Sequence, residues 1–229
     1  MIKSLFEYFR LYVYTLIGRA PCYVKVAPKE RVRKADQKTS DPIFIYKDFL
    51  TINPYSRPGI TRTKPPVGIE FHWVEGPGAT AMQTRNWFES RKGGKYSYGS
   101  SHYNVGLKAS GGRKYADIVQ NIPEKEIAYS SGAKSYTKTA RKLGRRAPYF
   151  YTISIEICHK DWSGKFSELT LAGLEKLSIM LCKRYSLSAK DFFRHYDLTL
   201  KRCPKFWVDF PKEWSKFRDR IDKKLGVLL

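Results

Sequence analysis

Residues 67–73 read VGIEFHW, and in this stretch apolar side chains alternate with glycine or polar side chains. A period of two is typical of a β-strand with one apolar and one polar face. Residues 151–158, which read YTISIEIC, repeat the pattern. The two stretches therefore predict two half-buried strands, with His72 on the polar face of the first strand and Glu156 on the polar face of the second.

Helical patterns lie between and after these strands. The sequence Thr80-Ala-Met-Gln83 has the pattern of a capping box, which predicts a helix that begins there and runs through Phe88. Apolar residues at helical spacing predict another helix over residues 171–185. The remaining predicted elements are strands over 101–106 and 115–122 and a closing helix over 206–221. Strands mixed with helices predict an α/β or α+β sheet covered by helices.

The chain is predicted to divide into an extension at residues 1–46 and a main domain at 47–229. Within the extension, apolar residues recur at helical spacing over residues 2–17, and a basic linker follows at 29–34. Two roles stay open for this amphipathic helix, namely packing against its own domain and weak contact with a membrane surface. Charged residues interrupt its apolar stretch, so that it makes a poor secretory signal.

The charge of the chain predicts a polyanionic partner. The sequence has 43 Lys and Arg against 21 Asp and Glu, a net charge of +22, of which +17 lies on residues 47–229. Nucleic acid, an anionic membrane and an anionic cell wall would all attract such a protein. The absence of any nucleic-acid-binding motif argues against nucleic acid. Six Lys or Arg and no acid lie in residues 134–146, which form either a solvated loop or an electrostatic guide to an anionic polymer.

Histidine and cysteine supply the candidate metal ligands. The sequence holds four histidines, His72, His102, His159 and His195, and Cys203 follows the last of them by eight residues. Imidazole and thiolate both bind zinc, and three protein ligands with an open fourth position are typical of a catalytic zinc site. Other interpretations stay open at this stage. His72 could be a structural residue, Cys203 a small buried side chain or a nucleophile with His195 as base, and Glu156 a solvated carboxylate.

Seven short motifs carry a resemblance to a known family. They are NPYSRPG at 53–59, FHWV at 71–74, TRNWFE at 84–89, SSHY at 100–103, IVQNIP at 118–123, TISIEICH at 152–159, and RHYD followed by KRCP within 194–204. In this order they resemble the zinc-dependent N-acetylmuramoyl-L-alanine amidases, which include many phage endolysins and are similar in fold to the peptidoglycan recognition proteins. The resemblance implies an α/β fold with a central mixed β-sheet flanked by helices.

The resemblance also implies a set of site residues. His72, His195 and Cys203 match the three ligands of a Zn²⁺ cofactor. Glu156 matches the glutamate that moves a proton during catalysis, and Lys201 matches the basic residue that faces the developing oxyanion. The implied reaction is hydrolysis, by a zinc-activated water, of the amide between the lactyl group of N-acetylmuramic acid and L-alanine.

The implied substrate is peptidoglycan, an anionic cell-wall polymer. We therefore expect a monomeric enzyme that acts on the bacterial cell wall, in the periplasm or outside the cell. The resemblance does not specify its export route, and release from the cytoplasm at phage lysis is one possible route. The alternative is a catalytically silent module that binds muropeptides without cutting them. Silent relatives typically lack the cysteine ligand, so Cys203 favours the enzyme.

Three positions depart from the family pattern. Ser130 stands where many relatives have a histidine that lines the substrate groove. Leu200 and Ser154 stand where glycine is common. We expect these departures to change the substrate groove and the approach of the backbone near Lys201 and Glu156.

Overall fold

The computed structural model describes residues 42–226. The strands in this range are β1 (Tyr46–Lys47), β2 (Gly68–Trp73), β3 (Tyr103–Val105), β4 (Ile118–Gln120), β5 (Thr152–Ile157) and β6 (Phe192–Arg194). The α-helices are α1 (Ala81–Ser90), α2 (Lys138–Leu143), α3 (Glu168–Tyr185), α4 (His195–Thr199), α5 (Lys205–Asp209) and α6 (Pro211–Leu225). None of the described helices is both long and apolar enough to cross a membrane. The predicted helix at 2–17 and the basic linker lie outside the described residues.

The six strands form one sheet in the order β1-β4-β3-β5-β2-β6. Neighbouring strands are parallel except for β3 and β4, which are antiparallel. This mixed sheet with flanking helices confirms the predicted α/β class. Strand β1 occupies residues 46 and 47, across the predicted boundary between extension and main domain, and that boundary stays a prediction.

The apolar face of β2 packs into an aromatic core. The ring of Phe71 is fully buried, and the ring centroids of its neighbours lie 5.1–5.9 Å away. These neighbours are Phe192, Trp207, Trp214 and Phe217, three of which come from α5 and α6. Burial of one such ring contributes about 1.5–3 kcal/mol. The closing helices therefore hold the sheet from one side and leave its other face for polar side chains.

The polar face of β2 is covered as well, which corrects the expectation of a half-buried strand. Glu70 is 0% exposed and His72 is 3% exposed. Strand β2 lies between β5 and β6, and the Ser131 hydroxyl reaches the Glu70 carboxylate from the covering loop. An alternating pattern can therefore mark a strand whose polar face points into a polar interior.

The predicted helix starts are confirmed in part. The capping box of α1 is present, since the Thr80 hydroxyl accepts from the Gln83 amide at 3.1 Å and the Gln83 side chain accepts from the Thr80 amide at 2.9 Å. The prediction of a single closing helix over 206–221 was wrong. Two helices cover this stretch, because α5 ends before Phe210 and α6 begins at Pro211. Proline has no backbone N–H and is tolerated only at the start of a helix.

The basic segment at 134–146 is not simply a loop. It contains α2, which Thr137 caps by accepting a hydrogen bond from the Ala140 amide. All six of its basic side chains are exposed. Thr137 also donates to the Asp197 carbonyl in α4, so the segment packs beside the element that carries His195.

Leu200 ends α4 in the left-handed region, with φ of 66°, and its side chain is 66% exposed. This conformation costs an L-residue about 1–2 kcal/mol but costs glycine little. We expect Leu200→Gly to raise the free energy of unfolding by about 0.5–1 kcal/mol after the entropy of glycine in the unfolded chain is counted. Denaturant unfolding measures the change. Leu200→Ala keeps the strained φ and is expected to give no gain, and an equal gain from both variants would contradict this account.

Candidate functional site

Three parallel strands bring the candidate residues to one edge of the sheet. His72 lies near the end of β2 and pairs in register with Glu156 near the end of β5. Strand β6 pairs with β2 on the other side, and His195 follows β6 directly. The carboxyl ends of parallel strands are where open α/β sheets place their ligand sites.

His72, His195 and Cys203 form a compact buried cluster. Their candidate ligand atoms all lie within 4.8 Å of one another, and the three residues are 3%, 6% and 2% exposed. The Cys203 Sγ atom lies 3.8 Å from His72 Nδ1, and the rings of His72 and His195 lie 4.7 Å apart between centroids. Two imidazoles and one thiol at this spacing are a donor set that suits zinc.

The protonation of His195 also suits a metal ion. Burial, together with the charge of His72, lowers the pKa of His195 to about 3, so His195 is a neutral imidazole at physiological pH. Its Nδ1 atom is buried and has no hydrogen-bond partner within residues 42–226. Burial raises the pKa of the Cys203 thiol despite the proximity of His72. An activated nucleophile needs a lowered thiol pKa, so these surroundings do not favour Cys203 as a nucleophile.

Glu70 was missed by sequence reasoning and supports His72 from behind. Its Oε1 atom lies 3.0 Å from His72 Nε2, which leaves Nδ1 on the side of Cys203. Burial acts to raise the pKa of Glu70, but the charge of His72 and hydrogen bonds outweigh it and lower this pKa to about 2. Its Oε2 atom accepts hydrogen bonds from three hydroxyls, those of Ser130, Ser131 and Thr152. The signal was available, because Glu70 stands two residues before His72 on the same strand face.

Glu156 carries a carboxyl group with an altered affinity for protons. Burial raises its pKa to about 7, against the opposing charges of His72 and Lys201. Its Oε2 atom is buried and lacks a hydrogen-bond partner among the described residues. A carboxyl group that is half protonated near neutral pH can both accept and return a proton. Glu156 is therefore not the solvated carboxylate that the sequence had left open.

Lys201 lies at the rim of the same site. Its Nζ atom lies 2.7 Å from the Glu75 carboxylate, and both side chains are more than half exposed. Burial acts to lower the pKa of Lys201, but Glu75, Cys203 and Glu156 outweigh it and raise this pKa. Lys201 is therefore a cation that faces the site and remains accessible to a ligand.

One cavity of about 620 Å³ is lined by all five candidate residues. A second cavity of about 900 Å³ shares five lining residues with it, among them Ser130, His195 and Lys201, and extends toward Tyr149 and Leu200. The two together form a groove across the carboxyl end of the sheet. Ser130, the position where relatives have a histidine, lines this groove and donates to Glu70 at 3.1 Å.

The other two histidines lie outside the cluster. His102 is fully buried with a pKa lowered to about 3 by burial and by the charge of Arg62, and it contacts Ser154 Oγ at 3.0 Å through Nδ1. Both ring nitrogens of His159 contact backbone carbonyl oxygens, those of Asp161 and Val74. These contacts give His102 and His159 structural roles, and His102 explains why a serine at 154 is accommodated.

Comparison with known proteins matches residues 62–206 to the model of the N-acetylmuramoyl-L-alanine amidase family. A probable N-acetylmuramoyl-L-alanine amidase of Bacillus licheniformis is 34% identical over 185 residues, which cover 80% of this chain and 48% of the relative. The amidase BlyA of Bacillus subtilis (strain 168) is 28% identical over 189 residues, which cover 78% of this chain and 47% of that protein. This chain thus spans about half the length of the relatives that it matches.

Solved structures share the fold. The catalytic domain of XlyA superimposes with a TM-score of 0.57 at 23% identity, over 78% of this chain and 99% of that domain. The PlyG catalytic domain gives a TM-score of 0.60 at 17% identity, over 79% of this chain and 94% of that domain. At these identities the likeness concerns the fold alone.

Proposed function

This chain belongs to the N-acetylmuramoyl-L-alanine amidase family, and on that premise we propose that it hydrolyses the amide between the lactyl group of N-acetylmuramic acid and L-alanine in peptidoglycan. The observation that carries the proposal is the convergence of three buried donors and Glu156 around one cavity. Peptidoglycan is the proposed partner, and the bacterial cell wall is the proposed place of action.

We propose that His72, His195 and Cys203 hold a zinc ion. The unpartnered Nδ1 of the neutral His195 and the approach of His72 Nδ1 to Cys203 Sγ support this assignment. When bound there, zinc would polarise the amide carbonyl and acidify a water molecule. Three protein ligands leave a coordination position for the substrate, as catalytic sites require.

The remaining steps belong to Glu156 and Lys201. Glu156 accepts a proton from the attacking water and delivers it to the alanine nitrogen, which leaves only when protonated. The pKa of about 7 supports both transfers. The Lys201 ammonium stabilises the oxyanion that develops on the former carbonyl oxygen, and Glu75 holds that ammonium at the rim of the cavity.

Glu70→Gln is expected to weaken zinc binding by roughly 10- to 100-fold, because outer partners of ligand histidines orient the ring and increase its basicity. The amide keeps the size of the carboxyl group, so hydrogen bonds from Ser130 and Thr152 can persist. Competition with a chelator of known affinity measures the change. Glu126→Gln, which removes a buried carboxylate that pairs instead with Arg57, is the matched control. An unchanged zinc affinity in Glu70→Gln would contradict the positioning role.

The basic segment at 134–146 fits the proposed substrate. The exposed basic side chains of residues 134–146 lie on the segment that begins next to Gly132 and Ala133 in the groove wall. A cationic flank raises the local concentration of an anionic polymer and the rate of encounter with it. We propose that this segment guides the protein to the cell wall.

Digestion of purified sacculi tests the proposed function. We expect new amino-terminal L-alanine to appear without new reducing sugar ends, and expect a chelator to stop its release. The alternative is a recognition module, which would bind sacculi and hold zinc without releasing L-alanine. That outcome would overturn the proposed hydrolysis.

A further inference from the structure

Arg91 is a buried cation in the wall of the same cavity that holds the zinc cluster and Glu156. Its side chain belongs to the turn that follows α1, and the residue is only 7% exposed. No acidic side chain forms an ion pair with it within residues 42–226. A buried charge without a counterion is costly, so its retention in a cavity wall points to an external anion.

The surroundings of the guanidinium hold it in place and leave its Nε donor without a partner. The Cζ atom stands 3.8 Å from the centroid of the Trp87 ring, a cation–π contact. Gly99 also lies against it, because a Cβ added at this glycine would come within 3.2 Å of Cζ and 3.4 Å of Nη2. Nη1 donates to the Ser97 carbonyl, whereas the buried Nε has no hydrogen-bond partner in the described part of the chain. Arg91 is therefore a fixed group with unused hydrogen-bonding capacity.

The electrostatics of the cavity link Arg91 to Glu156 through charge alone. Burial lowers the pKa of its guanidinium, and the charge of Glu156 acts in the opposite direction. The Glu156 carboxyl group therefore interacts with Arg91 through its charge. The two side chains form no hydrogen bond or ion pair in the described structure. An anion near Arg91 would complete the charge balance of this wall.

We propose that Arg91 binds a free carboxylate of the stem peptide, next to the alanine whose amide is cut, and so sets the preference of the enzyme for acidic over amidated stem peptides. This inference rests on the proposed function and deepens it. A planar guanidinium matches a carboxylate with two parallel hydrogen bonds, whereas a carboxamide offers only one acceptor oxygen and no charge. Two extended residues span at most about 7 Å, so the residue after alanine remains within the same cavity.

The test compares two soluble probes that differ in one group. These are the γ-methylamides of N-acetylmuramoyl-L-alanyl-D-isoglutamic acid and of its isoglutamine amide, in which the α-carboxyl group alone differs. We expect the wild-type protein to cleave the acid with a kcat/KM roughly 10- to 100-fold above that of the amide, the range of a charge-assisted hydrogen-bonded pair. In Arg91→Gln the ratio should fall to about one, through KM for the acid, while kcat/KM for the amide stays close to wild type.

Two further variants keep the test decisive if Arg91→Gln folds poorly. Arg91→Lys retains the charge but not the paired donors, and should give an intermediate ratio. Lys92→Gln removes the adjacent exposed charge, which pairs with Glu89 outside the cavity, and should keep the wild-type ratio. Equal cleavage of both probes by the wild type, or an unchanged ratio in both Arg91 variants, overturns the inference.

A failure of the proposed function gives a different result. If the wild type cleaves neither probe, hydrolysis is excluded for these substrates, and calorimetry then measures binding of both probes to the wild type and to Arg91→Gln. Tighter binding of the acid that disappears in Arg91→Gln supports the inference without hydrolysis. Equal binding of both probes overturns it.

Discussion

Glu156→Gln is expected to lower the rate of L-alanine release from sacculi by roughly 10³- to 10⁴-fold. The amide has the shape of the carboxyl group but can neither take a proton from water nor return it to the leaving nitrogen. Burial already disfavours the charged carboxylate, since it raises the pKa of Glu156 to about 7. A neutral side chain should therefore leave the melting temperature at neutral pH unchanged or higher.

The control for Glu156→Gln is Glu213→Gln, an exposed position on α6 where the carboxylate pairs with Lys216. It should retain the full rate. The zinc content of Glu156→Gln should equal that of the wild type, which separates loss of proton transfer from loss of metal. A rate above about a tenth of the wild-type rate in Glu156→Gln would contradict the assignment of Glu156 as the acid–base group.

Cys203→Ser is the second change with a large expected effect. A neutral hydroxyl replaces a thiolate ligand, and even the outer partners of zinc ligands contribute 10- to 100-fold to affinity. We expect zinc affinity to fall by more than about 100-fold. Hydrolysis should then be lost when less than one zinc ion is supplied per chain. Because zinc binds only the folded chain, a chelator should lower the melting temperature of the wild type and leave that of Cys203→Ser unchanged.

Cys158→Ser is the matched control for this change. Cys158 is also fully buried, and its Sγ lies 3.7 Å from the Thr84 hydroxyl, which can hydrogen-bond to a serine. This variant should bind zinc with wild-type affinity. Zinc binding and activity preserved in Cys203→Ser would remove Cys203 from the ligand set.

The period of two in β2 and β5 was sufficient to predict both strands and the faces of His72 and Glu156. Because the two strands pair in register, His72 and Glu156 lie side by side. The α/β class followed from the order of strands and helices. The strands and their faces depend on the order of neighbouring residues, so a local sequence pattern is sufficient to predict them.

Features that depend on tertiary contact could not be read in the same way. The burial of both faces of β2 arises because the loop with Ser130 and Ser131 folds over Glu70, which no periodicity records. Arg91 lies in the turn after α1 and becomes part of the cavity wall only through the folding of the chain. The break at Pro211 is of a different kind, because a proline within a helical pattern predicts such a break from the sequence alone.

Zinc titration of the chelated wild-type protein, with amide hydrolysis as the readout, tests the central claim most directly. We expect no release of L-alanine before zinc is added, a rise in proportion to added zinc, and saturation at one zinc per chain. The two histidines and Cys203 form one cluster, so a single equivalent should suffice. Hydrolysis at the full rate in the chelated protein, or zinc uptake with no hydrolysis at any ratio, would contradict the account.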